Sequence, residues 1–152
     1  MARTEFKMEQ HMIRLRFIAM LGLASVSAGA SLAEQRAPAE VVTEIARTTK
    51  TATGQPIALA PGPLQVVATI YALAPGVKLP EHKHPFQRYA YVLEGELTVQ
   101  QSGVSSRVYR AGDFIVESVD GWHFGAATGS GPVKLLVIDQ TPPGAEITIN
   151  RP

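Results

Sequence analysis

Short stretches of β-forming residues, each closed by a glycine or proline turn, are the feature that most limits what this chain can fold into. No segment after residue 33 keeps a helical period over three turns. The predicted strands are Leu64–Ala74, Tyr89–Gln101, Ser106–Arg110, Phe114–Glu117, Trp122–Ala127 and Val133–Asp139. Strands of this length and spacing are typical of an antiparallel sandwich or a closed barrel. The pattern therefore predicts a single all-β domain.

The first 33 residues differ in character from the rest of the chain. Arg14 and Arg16 precede an apolar run at residues 17–24, and Ser31-Leu32-Ala33 has the small-x-small pattern of a cleavage site. An uncleaved membrane anchor is the alternative, but the apolar run is shorter than the roughly 20 residues that a span needs. We therefore predict a signal peptide at residues 1–33, a periplasmic or secreted protein, and no membrane association after cleavage.

Composition narrows the possible functions. The formal charge is +1 at neutral pH, which gives no reason to expect a nucleic-acid partner. Cysteine is absent, which excludes disulfides, thiolate zinc sites and a cysteine nucleophile. After the signal we expect a lead-in at residues 34–62, a barrel at residues 63–140, and a C-terminal tail or strand at residues 141–152. An exposed strand edge in the lead-in could pair with a second copy, so a homodimer is one expectation and a flexible tail is the other.

Two histidines separated by one residue, His82 and His84, are the first candidates for a metal site. Side chains on an extended strand repeat every second residue, so both imidazoles project to the same face. Neutral imidazoles are good ligands for divalent first-row metals, and His123 can supply a third. The alternative is that these histidines are structural.

The sequence resembles a known family in two signatures. The segments that carry the resemblance are Gly76, His82-Lys83-His84 and Tyr91–Gly95 for a first signature, and Gly112-Asp113 through His123 for a second. Their order and spacing resemble the two signatures of the cupin family over roughly residues 64–139. The resemblance implies a jelly-roll β-barrel in which His82, His84 and His123 bind a divalent Mn, Fe, Zn or Ni ion.

The first signature departs from the family at its usual glutamate ligand. That position holds Arg88, beside Gln87. Three arrangements remain open: Gln87 turns inward as a weak ligand while Arg88 points away, Arg88 points inward and binds an anionic substrate, or Arg88 lies at the surface beside Glu94 or Glu117. Glu117 itself is either solvent-facing or a partner for Arg88 or a histidine.

The candidate site residues follow from these observations. For the metal they are His82, His84, Gln87 and His123, and for substrate binding they are Arg88, Tyr91 and Trp122. Two function classes remain. The first is a metal-dependent oxygenase, isomerase or lyase acting on a small organic molecule, and the second is a non-catalytic module that binds a small-molecule ligand.

Export is directly testable. We expect N-terminal sequencing of protein recovered from its native envelope or medium to begin near Glu34, because Ser31-Leu32-Ala33 is the best cleavage site. A protein that still begins at Met1 or Met12 would contradict the signal peptide.

Overall fold

The fold is described by a computed structural model that covers residues 40–152; the predicted signal peptide lies outside the described residues. Nine β-strands and no helix form within this range. The described part of the chain therefore contains no helix that could cross a membrane. The remaining lead-in, residues 40–62, has only a tight turn and a single bridge between Lys50 and Pro56.

The strands follow the sequence prediction closely. They are β1 Gln65–Leu73, β2 His82–Lys83, β3 Gln87–Glu94, β4 Glu96–Gln101, β5 Arg107–Arg110, β6 Phe114–Val116, β7 His123–Ala127, β8 Val133–Thr141 and β9 Ile149–Asn150. The predicted strand over residues 89–101 is two strands, because the chain turns at Gly95. Strand β2 contains the first of the two histidines that were expected on an extended strand, and β9 lies in the segment that was left open as a tail or strand. These two short strands pair with each other.

Two antiparallel sheets make up the domain. One has the order β1-β8-β3-β6 and the other β5-β4-β7-β2-β9. Their inner faces enclose a core that includes Val92, Leu97, Tyr109, Ile115 and Val133. The predicted all-β jelly-roll class is confirmed.

Strict alternation along the strands decides what points inward. On β3, Ala90 and Val92 are buried in the core, whereas Tyr89 and Tyr91, which alternate with them, are on the outer face. The inner row of β8 reads Val133, Leu135, Val137 and Asp139. The apolar row thus ends in a charged residue, and the functional site lies at this polar end of the core.

The turn between β3 and β4 requires glycine. Gly95 has a φ of +82°, a conformation that L side chains rarely adopt. A β-carbon added here would lie 2.1 Å from the backbone oxygen of Pro132, well inside van der Waals contact. This close approach fixes the β3–β4 turn against the start of β8.

We expect Gly95→Ala to lower the free energy of unfolding by about 3 kcal/mol, because it combines backbone strain with a steric overlap. Gly103→Ala is the matched control: Gly103 also has a positive φ, but nothing lies within 4 Å of its added β-carbon. Its cost should stay near 1 kcal/mol. Urea unfolding monitored by tryptophan fluorescence measures both, and equal costs would contradict the role of the Pro132 contact.

Candidate metal centre

Three buried imidazoles converge at the polar end of the core. His82 on β2 is directly opposite His123 on β7, and His84 follows two residues after His82 on the same face. The ring centroids are 4.5–5.1 Å apart, and one ligand atom from each ring lies within 4.8 Å of the others. The structure therefore brings together the three histidines that the sequence indicated.

A backbone carbonyl bonds to the same nitrogen, Nδ1, in each of the three rings. Nδ1 of His82 is 2.7 Å from the oxygen of Pro80, that of His84 is 2.8 Å from Ile147, and that of His123 is 2.9 Å from Gly121. A carbonyl oxygen can only accept, so each Nδ1 carries the hydrogen and donates it. In the neutral ring this leaves Nε2 with a free lone pair, which is how metal-binding histidines are usually oriented.

Glu117 supplies a carboxylate that the sequence analysis did not place among the ligands. It follows β6 directly, on the same face as the core residue Ile115, and its side chain is 16% exposed. Its Oε2 is 3.1 Å from Nε2 of His84 and 3.2 Å from Nε2 of His123. An isolated acid at the end of an apolar strand was the only sequence signal for it.

The contacts of Glu117 with His84 and His123 fit a divalent ion. The buried Oε2 of Glu117 has no aligned hydrogen-bond donor, despite its two short contacts. Lone pairs on oxygen and nitrogen that face one another repel unless a proton or a cation lies between them. Ligands about 2.1 Å from an ion lie about 3.0–3.4 Å apart at octahedral or tetrahedral angles, which matches both contacts. Three imidazoles and one carboxylate suit Mn, Fe, Zn or Ni.

The charges of the metal-free cluster are strongly coupled. Burial alone would raise the pKa of Glu117, but the imidazoles of His123 and His84 outweigh it and hold the pKa well below its usual range. Burial lowers the pKa of His82, so this ring stays neutral. Burial also opposes charge on His123, but the Glu117 carboxylate outweighs that effect and raises its pKa. Without a metal, His123 is therefore the ring that takes up a proton.

Arg88 points into the core rather than to the surface. Its Nε and Nη2 donate to the two carboxylate oxygens of Asp139 at 2.6 and 3.0 Å, and Nη2 also donates to the Thr148 hydroxyl at 3.3 Å. Both Arg88 and Asp139 are less than 5% exposed. Burial disfavours the charge on Arg88, but Asp139 and Glu117 outweigh it and raise its pKa. Of the three arrangements left open by the sequence, only the inward one agrees with this position.

One contact of Arg88 touches the histidine cluster. Its Nη1 is 3.1 Å from Nε2 of His84, the same nitrogen that faces Glu117. The guanidinium and a metal ion therefore compete for one lone pair. Two of the three guanidinium nitrogens of Arg88, Nε and Nη2, bond to Asp139. Only Nη1 is therefore directed at the histidine cluster.

Gln87 has a different environment from the histidines. Its Nε2 donates to the backbone oxygens of Arg88 and Glu117, both at 3.1 Å. Because Arg88 faces the cluster, its strand neighbour Gln87 projects to the other face of β3. The ligand role predicted for Gln87 stays a prediction. The position of the Gln87 side chain favours Glu117 as the oxygen ligand instead.

The two aromatic residues predicted to bind substrate lie away from the cluster. Tyr91 is on the outer face of β3, in an apolar depression that it shares with Tyr89 and Phe114. Trp122 precedes His123, and its ring lies below the cations of Lys83 and Arg151 at 5.4 and 5.3 Å. Tyr91 faces away from the cluster because side chains alternate along β3. The substrate-binding role predicted for Tyr91 and Trp122 stays a prediction.

A cavity of about 220 Å³ leads from the surface to the cluster. His123 and Glu117 form its inner end, and Val104, Ser106 and Arg107 are among the residues that line its outer part. A smaller cavity, about 30 Å³, lies beside the cluster inside the barrel and has mainly aliphatic walls. The site is thus reachable by a small molecule.

Comparison with known proteins agrees with this architecture. Residues 69–139 match the sequence model of the family described as Cupin domain. The match contains all three histidines, Arg88, Glu117 and Asp139. No curated protein matches the chain significantly.

Solved structures resemble this β-domain in fold. Oxalate decarboxylase from Lactobacillus farciminis, solved as a formate complex, is 22% identical over 56% of this chain and 26% of its own, with a TM-score of 0.50. An oxalate oxidase with the substrate analogue glycolate is 29% identical over 56% and 45%, with a TM-score of 0.49. A DMSP lyase from Ruegeria pomeroyi is 21% identical over 56% and 42%, with a TM-score of 0.48. The chain spans less than half the length of each.

We expect Asp139→Ala to lower the free energy of unfolding by about 3–5 kcal/mol, because it leaves the guanidinium of Arg88 buried without its partner. The double variant Arg88→Met, Asp139→Leu removes both charges and should recover most of that loss. Urea unfolding measures the stability of wild type, the single variant and the double variant. Glu94→Gln, which breaks the exposed pair with Lys134, is the control and should change stability by less than about 1 kcal/mol. A similar effect for Asp139→Ala and Glu94→Gln would contradict a structural role of the buried pair.

Proposed function

We propose that this protein is a metal-dependent cupin enzyme whose divalent ion is held by His82, His84, His123 and Glu117. The observation that carries the proposal is that one ligand atom from each of three buried histidines lies within 4.8 Å of the others, and Oε2 of Glu117 is 3.1 and 3.2 Å from Nε2 of two of them. The ordinary alternative is a structural cluster, in which a protonated His123 donates to Glu117 and Nη1 of Arg88 donates to His84. Metal uptake distinguishes the two.

The carboxylate comes from a neighbouring strand. The family's usual glutamate would stand at position 88 on β3, and the backbone N–H of Glu117 donates to the oxygen of Arg88 at 2.9 Å. The two positions are thus cross-strand neighbours on adjacent strands. Moving the carboxylate by one strand keeps it within reach of the same imidazoles.

The chain's own residues prepare the site for chemistry. A bound divalent ion would supply Lewis acidity toward an oxygen of the substrate. The three backbone carbonyls accept from Nδ1 of each imidazole and orient the rings so that Nε2 faces the site. Aliphatic side chains, among them Leu79, Leu97 and Val137, exclude water from the barrel side of the site. Glu117, with its low pKa, stays ionised and offsets the charge of the ion.

A binding module without metal is the second candidate function. One observation favours it, the hydrogen bond between Nη1 of Arg88 and Nε2 of His84 at 3.1 Å. If this bond persists in solution, His84 is not available as a ligand and the cluster serves as a polar wall of a ligand cavity. Metal uptake separates the two candidates.

In either case we propose that the mature protein acts outside the cytoplasm, on the strength of its N-terminal sequence pattern.

We expect one divalent ion per chain in calorimetric titration with Mn²⁺ and Zn²⁺. His82→Ala or His123→Ala should abolish measurable binding, and Glu117→Gln should weaken it about 10–100-fold, because a neutral amide replaces a charged ligand. Gln87→Ala should leave binding unchanged. Glu94→Gln is the control for loss of a carboxylate remote from the site. Full affinity in Glu117→Gln together with a loss in Gln87→Ala would contradict the proposed ligand set.

Metal affinity should fall as the pH falls. The raised pKa of His123 means that protons compete for this ring already above its ordinary value of about 6.5. Glu117→Gln removes the cause of that raised pKa, so the competition should move to lower pH in this variant. Titrations from pH 8 to pH 5.5 test the shift, and an affinity that does not change over this range would contradict histidine ligation.

A further inference from the structure

The outer part of the access cavity carries uncompensated positive charge. Arg107 lines the cavity that ends at Glu117 and His123. It also lines a second groove, which shares the wall formed by Ala52, Tyr109 and Ile115 and adds Lys50. Among the ion pairs of residues 40–152, none involves Arg107 or Lys50. The only carboxylate that lines either space is Glu117, at the inner end.

The strand geometry directs Arg107 toward the cavity. Arg107 and Tyr109 are two residues apart on β5, so they share a face, and Tyr109 is 4% exposed in the core. The guanidinium of Arg107 lies over the ring of Tyr109, 4.9 Å from its centroid. This contact holds the cation at the opening. Val108 and Arg110 face the opposite side, and Arg110 pairs there with Glu96.

The fixed charges at the inner end favour a single negative charge on the substrate. Glu117 and Asp139 lie on either side of Arg88 in one cross-strand row, which gives this row a net charge of −1. A divalent ion on the neutral histidines changes the total to +1. One monovalent anion would neutralise it, whereas a phosphate dianion would leave an excess negative charge in an enclosed space.

We propose that this opening, defined by Arg107 and Lys50, selects small monocarboxylate anions and guides them to the cluster. The inference rests on the proposed metal centre and names its substrate class. A cleft lined by one sign of charge concentrates ligands of the opposite sign. A cavity of about 220 Å³ limits these to small molecules.

The test compares two ligands that differ in charge and not in shape, butyrate and its uncharged amide butyramide. Binding to the Mn²⁺-loaded protein is measured by calorimetry, after the bound metal of each sample has been quantified. Wild type should bind butyrate more tightly than butyramide. Arg107→Gln should weaken butyrate binding about three- to tenfold and leave butyramide binding unchanged. The Arg107 effect should shrink when NaCl is raised from 50 to 500 mM.

Arg110→Gln is the matched control, because it removes the same charge from the same strand on the other face. Equal butyrate affinities in Arg107→Gln and Arg110→Gln would overturn the inference, as would equal binding of butyrate and butyramide by wild type. Failure of metal uptake would appear separately, in the metal content, and would count against the proposed function. The same titrations on metal-free protein then decide the role of Arg107: a larger loss of butyrate binding in Arg107→Gln than in Arg110→Gln supports it, and equal losses overturn it.

Discussion

A buried guanidinium needs a carboxylate, and this requirement organises the interior of the barrel. Arg88 stands in the inner row of β3, where Asp139 of β8 pairs with it on one side and Glu117, directly after β6, lies opposite it on the other. An unpaired buried charge costs several kcal/mol, so the three side chains are energetically tied to one another. The row fixes β3, β8 and β6 relative to each other at the end of the core where the histidines converge.

This row also explains why the usual glutamate position can hold an arginine. A glutamate at position 88 would place three carboxylates side by side, and their repulsion would raise their pKa values and keep some of them neutral. With Arg88 in the middle, Glu117 can remain ionised beside the histidines. The cost is the contact between Arg88 and His84, which weakens one of the candidate ligands. Metal affinity in this protein therefore depends on how readily Nη1 of Arg88 leaves Nε2 of His84.

The sequence predicted the fold and the three histidines, but not the charged row. Strands bounded by glycine and proline turns could be located within one or two residues, and the spacing of His82 and His84 put them on one face. The strands β2 and β9 have two residues each and form only through tertiary pairing, so local preference could suggest extended segments there but not their bounds or their pairing. The partnership of Arg88 with Asp139 joins residues 51 positions apart through the β3–β8 register, which the sequence does not specify. The alternation that turns Glu117 inward and Tyr91 outward likewise depends on which face of each strand meets the core.

The central claim is that an ion occupies the point where three imidazoles and Glu117 converge. Crystals of the mature protein grown with Mn²⁺, with diffraction data collected on both sides of the manganese absorption edge, test it most directly. We expect one anomalous peak about 2.1–2.3 Å from Nε2 of His82, His84 and His123 and from an oxygen of Glu117, with Nη1 of Arg88 no longer bonded to His84. No peak at this position, with the Arg88–His84 hydrogen bond intact in manganese-saturated crystals, would contradict the account.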